Sequence, residues 1–380
     1  MLEFQLQVAD SSGPRAGIIK TPHGEAPTPC FMPVGTAAAV KGMAPWDLRD
    51  VGASMVLANT YHLLLRPGID VIRDLGGLHR FMGWNGPILT DSGGYQVVSL
   101  GGMVKVNDNG VVFSSHIDGA RMELTPETAT ETQAALGVDI AMCLDEPVRL
   151  PAEADKISRA AKRTVEWAKR CIETRDAAAP DMALFGIVQG GADIELRTEN
   201  AKKITALGFD GYAIGGLSVG EDNETLHSVT AYTAPLLPTD RPRYLMGVGT
   251  PVDLLRAIGA GVDLFDCVLP TRNARNGWIY STEGPLRIKH SEFKQDARPP
   301  MEGCGCATCS NFSRAYLRHL YMAGEMLAGM LITRHNLWFY MKLMRDAKAA
   351  TIEGRYDDFA GQLIENMSAV DWSENLEEEK

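Results

Sequence analysis

The chain has 380 residues, 45% hydrophobic and 22% charged, which is the composition of an ordinary globular protein. Its net charge of −11 excludes a protein that coats nucleic acid indiscriminately, and no apolar run is long enough to span a bilayer. The first ten residues hold no basic stretch ahead of an apolar one, so a secretory leader is not expected and a cytoplasmic location is.

In chain order, Leu2–Val8 and Gly17–Lys20 read as a small antiparallel cap. Eight short apolar runs follow: Cys30–Gly35, Met55–Asn59, Ile88–Asp91, Ile140–Asp145, Leu184–Gln189, Gly211–Gly215, Tyr244–Gly249 and Leu264–Cys267. They are too apolar to alternate, as expected of parallel strands buried on both faces. The stretches Pro126–Leu136, Ala152–Ala178, Glu195–Leu207 and Pro251–Gly259 read as helices between them. Thr125-Pro126 and Thr250-Pro251 each place a cap residue before a first-turn proline. Strand and helix in alternation, eight times, predict an α/β (β/α)8 barrel of the TIM type. The expected organisation is a barrel with its N-terminal cap over 1–288 and a subdomain over 289–344, inserted before the last helix. The last barrel helix is expected over 345–368 and an acidic tail over 369–380.

The subdomain is expected from Cys304, Cys306 and Cys309, in a C-x-C-x-x-C turn, with His335 on the following helical stretch. Three thiolates and an imidazole complete the tetrahedral shell of Zn²⁺ and leave no position open, so such an ion is structural and the chemistry lies elsewhere. The remaining cysteines, Cys30, Cys143, Cys171 and Cys267, stand singly in apolar segments, as buried free thiols do. Phe312, Tyr316 and His319 or Leu320 recur at helical spacing. That stripe is either the packing face of its own domain or the contact of a homodimer. From Val268 to Arg298 the chain is locally basic inside an acidic protein, a sign asymmetry that marks a candidate partner surface.

In a parallel barrel the reactive residues stand at the C-terminal strand ends. Those ends carry Asp91, Asp145, Gln189, Gly215-Gly216 and Asp266. Three carboxylates at one mouth repel, so at least one is expected to have a raised pKa. Two carboxylates flanking a glycosidic bond supply a nucleophile and a proton carrier. A further carboxylate and an amide read paired donors and a carbonyl on a heterocycle. Tyr95 offers a face for stacking. The set fits chemistry on a purine nucleoside.

Together these residues resemble the bacterial tRNA-guanine transglycosylases, also called queuine tRNA-ribosyltransferases. The resemblance rests on Asp91-Ser92-Gly93-Gly94-Tyr95-Gln96, Gly215-Gly216-Leu217-Ser218-Val219-Gly220-Glu221, Phe265-Asp266-Cys267-Val268-Leu269-Pro270-Thr271-Arg272 with Arg275-Asn276-Gly277, and the Cys₃His set. It implies a tRNA-modifying barrel enzyme of queuosine biosynthesis. Such an enzyme exchanges the wobble guanine of GUN-anticodon tRNAs for 7-aminomethyl-7-deazaguanine, with structural Zn²⁺ and a homodimeric assembly. It implies Asp266 as nucleophile and Asp91 as general acid/base. It also implies base reading by Asp145, Gln189, Gly216 and Leu217, stacking by Tyr95, and a peptide oriented by Glu221. Arg272 and Arg275 fall to anticodon phosphates. Val219 fits the bacterial pattern that limits the pocket to the smaller base, while Pro147 stands where many members carry cysteine. Rival readings are a non-catalytic tRNA-binding subunit, a nucleoside hydrolase and a zinc hydrolase. A non-catalytic subunit is expected to lack one of the two aspartates, and this chain keeps both.

Overall fold

Eight apolar runs become eight parallel strands closed on themselves. The computed structural model describes residues 2–9, 13–100 and 102–368, so the acidic tail lies outside the described residues. Three antiparallel strands come first: β1 (Glu3–Ala9), β2 (Arg15–Thr21) and β3 (Gly24–Thr28). The barrel then starts with β4 (Cys30–Gly35), β5 (Val56–Ala58) and β6 (Ile88–Thr90). A second antiparallel sheet, β7 (Gly102–Val106), β8 (Val111–Ser114) and β9 (Arg121–Leu124), is inserted here. The barrel resumes with β10 (Ile140–Met142), β11 (Ala183–Val188), β12 (Gly211–Ile214), β13 (Arg243–Leu245) and β14 (Leu264–Cys267). Pairing of β10 with β6 and of β14 with β4 closes the ring.

Closure explains the apolar runs. Each barrel strand has one face on the packed interior and the other under helices, so almost every residue of β4, β6, β10, β11 and β12 is buried. The covering helices start where capping chemistry lies. The Thr125 hydroxyl accepts from the Thr128 N–H ahead of helix Pro126–Leu136, and Thr250 accepts from the Asp253 N–H ahead of Pro251–Gly259. The cap sheet covers the barrel floor, the end where strands begin. There Arg15 of β2 pairs with Asp263, just ahead of β14, at 3.2 Å.

After β14 the chain forms helix Leu269–Arg275 and a short hairpin, β15 (Trp278–Ile279) with β16 (Leu286–Arg287). The cysteine turn leads into helix Ala307–Asn311, which holds Cys309; helix Arg314–Met322 follows, and one long helix, Met326–Ile352, returns to the barrel. The expected division at residue 344 falls inside that unbroken helix, and a separate helix, Tyr356–Ser368, closes the described chain. Near its start the long helix carries His335. Further along, Tyr340 packs edge-on against Phe31 of β4 at 4.8 Å and donates to the Gly249 carbonyl at 2.5 Å. Asn336 joins the two regions. Fully buried, it accepts from the Tyr280 N–H at 3.0 Å and donates to the carbonyls of Pro270 and Trp278.

Candidate active site and metal centre

Above the C-terminal strand ends lies a cavity of about 470 Å³, within the size range of small-molecule sites. Asp91, Asp145, Gly216, Leu217, Asp266, Tyr95 and Arg272 all line it, as do Val219 and Pro147. Among the expected residues, Gln189 stands just behind this wall, Glu221 beneath its loop, and Arg275 further along the helix that begins at Leu269.

Asp91 follows β6 directly, and every oxygen of its carboxylate is held. Asn59, at the end of β5, donates its amide to Oδ2, while the N–H groups of Thr60 and Gly93 reach Oδ1 at 2.9 and 3.2 Å. Burial nevertheless pushes its pKa up to about 6, and the negative charge of Asp266 adds to the rise. Asp266, in β14, is held on one side only. The Tyr244 hydroxyl donates to Oδ1 at 2.6 Å and the Gly247 N–H to the same oxygen at 2.8 Å. Among the described residues no hydrogen bond reaches Oδ2. Burial raises this pKa as well, against the two donors.

Asp145 stands on the loop above β10 and is pushed up to about 7, chiefly by burial, with Asp91 and Glu146 adding repulsion. The expected carboxylate crowding is therefore present, and desolvation outweighs mutual charge in producing it. Gln189 donates its Nε2 to Asp145 Oδ2 at 2.6 Å, and its own backbone N–H is fixed by Asn200 Oδ1 at 2.9 Å. The amide expected to face a ligand carbonyl thus also steadies the neighbouring acid.

The Gly215-Gly216 pair is explained by close approach. A Cβ on Gly216, whose φ is +67°, would lie 2.4 Å from Gln189 Oε1, and one on Gly215 would lie 2.5 Å from Ile187 Cγ2. The loop beyond is stapled by Glu221, whose carboxylate accepts from the Ser218 and Val219 N–H groups, the latter at 3.0 Å. Behind it lies Arg197, fully buried. Its guanidinium donates to the carbonyls of Gly191 at 2.6 Å and Gly215 at 2.9 Å, and burial lowers its pKa to about 10. A cation on the Gly215 carbonyl polarises the peptide whose N–H belongs to Gly216. Tyr95 is 52% exposed, which leaves a ring face free at the mouth.

Asn59, Thr60, Tyr244, Gly247 and Arg197 were not singled out from the sequence. Asn59 had a signal, since it ends its apolar run as Asp91 ends the next. Tyr244 and Arg197 had none, because each acts on a residue brought near only by barrel closure.

The Cys₃His set also comes together. His335 Nδ1 lies 3.8, 3.4 and 3.3 Å from the Sγ atoms of Cys304, Cys306 and Cys309. A tetrahedral zinc with ordinary bond lengths separates sulfur from nitrogen by about 3.6 Å, so the spacing fits. The Cys306 and Cys309 N–H groups point at the sulfurs of Cys304 and Cys306, at 3.5 and 3.3 Å. Nε2 of His335 lies 2.7 Å from the Tyr280 carbonyl, the contact that frees Nδ1 to ligate. These four side chains can hold a metal ion with no position left for substrate. The expected stripe is only partly helical. Phe312 sits between two helices in extended backbone, yet its ring stacks on Tyr316 at 5.4 Å.

A family model described as "Queuine tRNA-ribosyltransferase" matches residues 10–369. A queuine tRNA-ribosyltransferase of Aromatoleum aromaticum is 51% identical over 367 residues, covering 97% of this chain and 99% of its own. One from Pelotomaculum thermopropionicum is 52% identical over 93% of this chain and 95% of its own. One from Thermus thermophilus is 51% identical over 95% and 93% respectively.

Proposed function

Because this chain belongs to the queuine tRNA-ribosyltransferase family, a family of pentosyltransferases that modify tRNA, we propose how its cavity performs the base exchange of queuosine biosynthesis. The observation that carries the reading is one cavity lined by two differently held carboxylates, Asp91 fully bonded and Asp266 with a bare Oδ2. Oδ2 of Asp266 attacks ribose C1′ of the wobble nucleotide. The bond to guanine breaks, and Asp91 delivers the proton the departing base requires. A ribosyl ester on Asp266 holds the tRNA.

Esterification removes the Asp266 charge that adds to the burial-driven rise in the Asp91 pKa, which favours Asp91 remaining ionised at the intermediate, where it serves as base. It takes a proton from the incoming 7-deazaguanine, whose ring nitrogen attacks C1′ and releases Asp266. Two displacements retain configuration, and one glycosidic bond replaces another without an energy source.

Asp145, Gln189 and the Gly216 and Leu217 backbone read the base edge, and Tyr95 stacks on its face. Glu221 orients the Leu217–Val219 peptides. Val219, on the cavity wall, leaves room for the 7-aminomethyl base. Arg272 at the mouth and Arg275 beside it take anticodon phosphates. An unstacked loop base entering so enclosed a pocket is flipped out of its strand. Structural Zn²⁺ in the Cys₃His set maintains the subdomain. A homodimer is supported by large exposed apolar side chains there, among them Met322, Met326 and Met330. No described helix is long and apolar enough to cross a membrane, and a cytoplasmic enzyme suits a tRNA substrate.

The test is incubation of unmodified tRNA with radiolabelled guanine, with 7-aminomethyl-7-deazaguanine as competitor. Wild type incorporates label and yields a trapped covalent complex, and Asp266→Ala does neither. Full exchange by Asp266→Ala would overturn the assignment.

A further inference from the structure

At the barrel floor, away from the catalytic mouth, three side chains from separate elements meet. His23 sits in the turn between β2 and β3, His79 in helix Gly77–Met82, and Asp139 just ahead of β10. His23 Nδ1 lies 2.8 Å from Asp139 Oδ1, and His79 Nε2 lies 3.1 Å from Oδ2. The Ile88 N–H, at the start of β6, fixes Oδ2 at 2.9 Å. One candidate ligand atom from each side chain lies within 4.8 Å of the others.

We propose that His23, His79 and Asp139 form a second metal site, for a borderline divalent cation such as Zn²⁺, with water completing the shell. Two imidazoles and a carboxylate suit Zn²⁺, Co²⁺ or Ni²⁺, whereas Mg²⁺ and Ca²⁺ prefer oxygen alone. Among the described residues no lysine or arginine pairs with the Asp139 carboxylate, although its side chain is 1% exposed. A buried carboxylate without a fixed cation leaves that charge for a diffusible one. His23, with its side chain 41% exposed, gives the ion an entry path.

Loading requires one movement. The rings are stacked 3.6 Å apart and within 17° of parallel, so their lone pairs do not yet converge. The His23 ring, on the exposed turn, swings out of the stack so that both nitrogens face the ion. A neutral ring moves its own proton to the opposite nitrogen, and none is lost to solvent. The bound ion ties the cap hairpin to the starts of β6 and β10.

The full chain, with its Cys₃His set loaded with zinc, is titrated with Co²⁺ and followed by visible absorption. Wild type is expected to bind one added equivalent, giving d–d bands without the sulfur charge-transfer bands that would report exchange at the cysteines. His23→Ala should lose that equivalent, and His79→Ala should bind it roughly tenfold or more weakly. His23→Gln keeps a donor for Asp139 but is a poor ligand. It should melt as wild type does without added metal and gain nothing when Zn²⁺ is added, whereas wild type melts higher. No added equivalent in wild type, or equal binding by His23→Ala or His23→Gln, would sink the site and leave a hydrogen-bonded clamp. Base exchange by all three variants at 25 °C reports folding and stands apart from this outcome.

Discussion

The barrel mouth and the cysteine turn are both buried clusters of acidic groups, and the chain treats them in opposite ways. In the cysteine turn the donors close on a single point, where a bound cation would cancel their charge and leave no room for anything further. At the mouth, among the described residues, no ion pair joins a cation to Asp91 or Asp266. Neutral N–H and O–H donors from Asn59, Thr60, Gly93, Tyr244 and Gly247 hold the carboxylates, and their pKa values stay raised. One cluster spends its electrostatics on holding shape, and the other keeps them available to a ligand.

The contrast predicts separable failures. The largest effect is expected from stripping the metal with a chelator or from Cys306→Ser. Structural zinc binding is worth on the order of 10 kcal/mol, so the cysteine-bearing segment should unfold and tRNA exchange should cease. Free guanine should still bind the barrel cavity, as equilibrium dialysis would show. Loss of guanine binding in parallel with unfolding would mean that the two regions are one unit.

On the proposed base-reading role, Asp145→Asn should cut guanine affinity by roughly tenfold or more, since a buried acceptor for paired donors is lost. Its effect on stability has the opposite sign. The folded chain keeps the Asp145 proton up to about pH 7, while the unfolded chain releases it near the ordinary value of 3.8. The wild type therefore loses stability as pH rises through that window. The asparagine variant escapes that loss and should melt higher at pH 8, the advantage vanishing below about pH 4. A variant that melts lower at pH 8 would show that Asp145 is structural.

The smallest effect is expected from Asn59→Ala. The Asn59 amide lowers the Asp91 pKa, so its removal should raise that pKa above about 6. With Asp91 as the proposed acid of the first half-reaction, the alkaline limb of that step should move to higher pH, with a rate change of a few-fold at most. An unmoved limb in single-turnover ribosylation would assign the limb to another group.

The barrel was legible because strands buried on both faces cannot hide their apolar runs. The sheet β7–β9 was not, because β8 alternates buried and partly exposed residues and β9 is largely exposed, so neither carries that signature. Asp91 and Asp145, which end apolar runs, and Asp266, which interrupts one, could be singled out because a polar residue there has to be explained. Arg197 could not, since a lone arginine in a helix reads as a solvated side chain until closure places it against the Gly215 carbonyl. The cysteine spacing named the donors, but the Tyr280 carbonyl that selects the His335 nitrogen is visible only in three dimensions.

The unbroken helix that carries both His335 and Tyr340 acts as a ruler. His335 faces the cysteine sulfurs, and Tyr340, further along, is pinned to the Gly249 carbonyl and to Phe31. An inserted residue between them would turn these two side chains by about 100° relative to each other, and both could not then be seated. The subdomain is consequently set in fixed phase with the cavity, so an RNA arm resting on it would arrive at the mouth already in register.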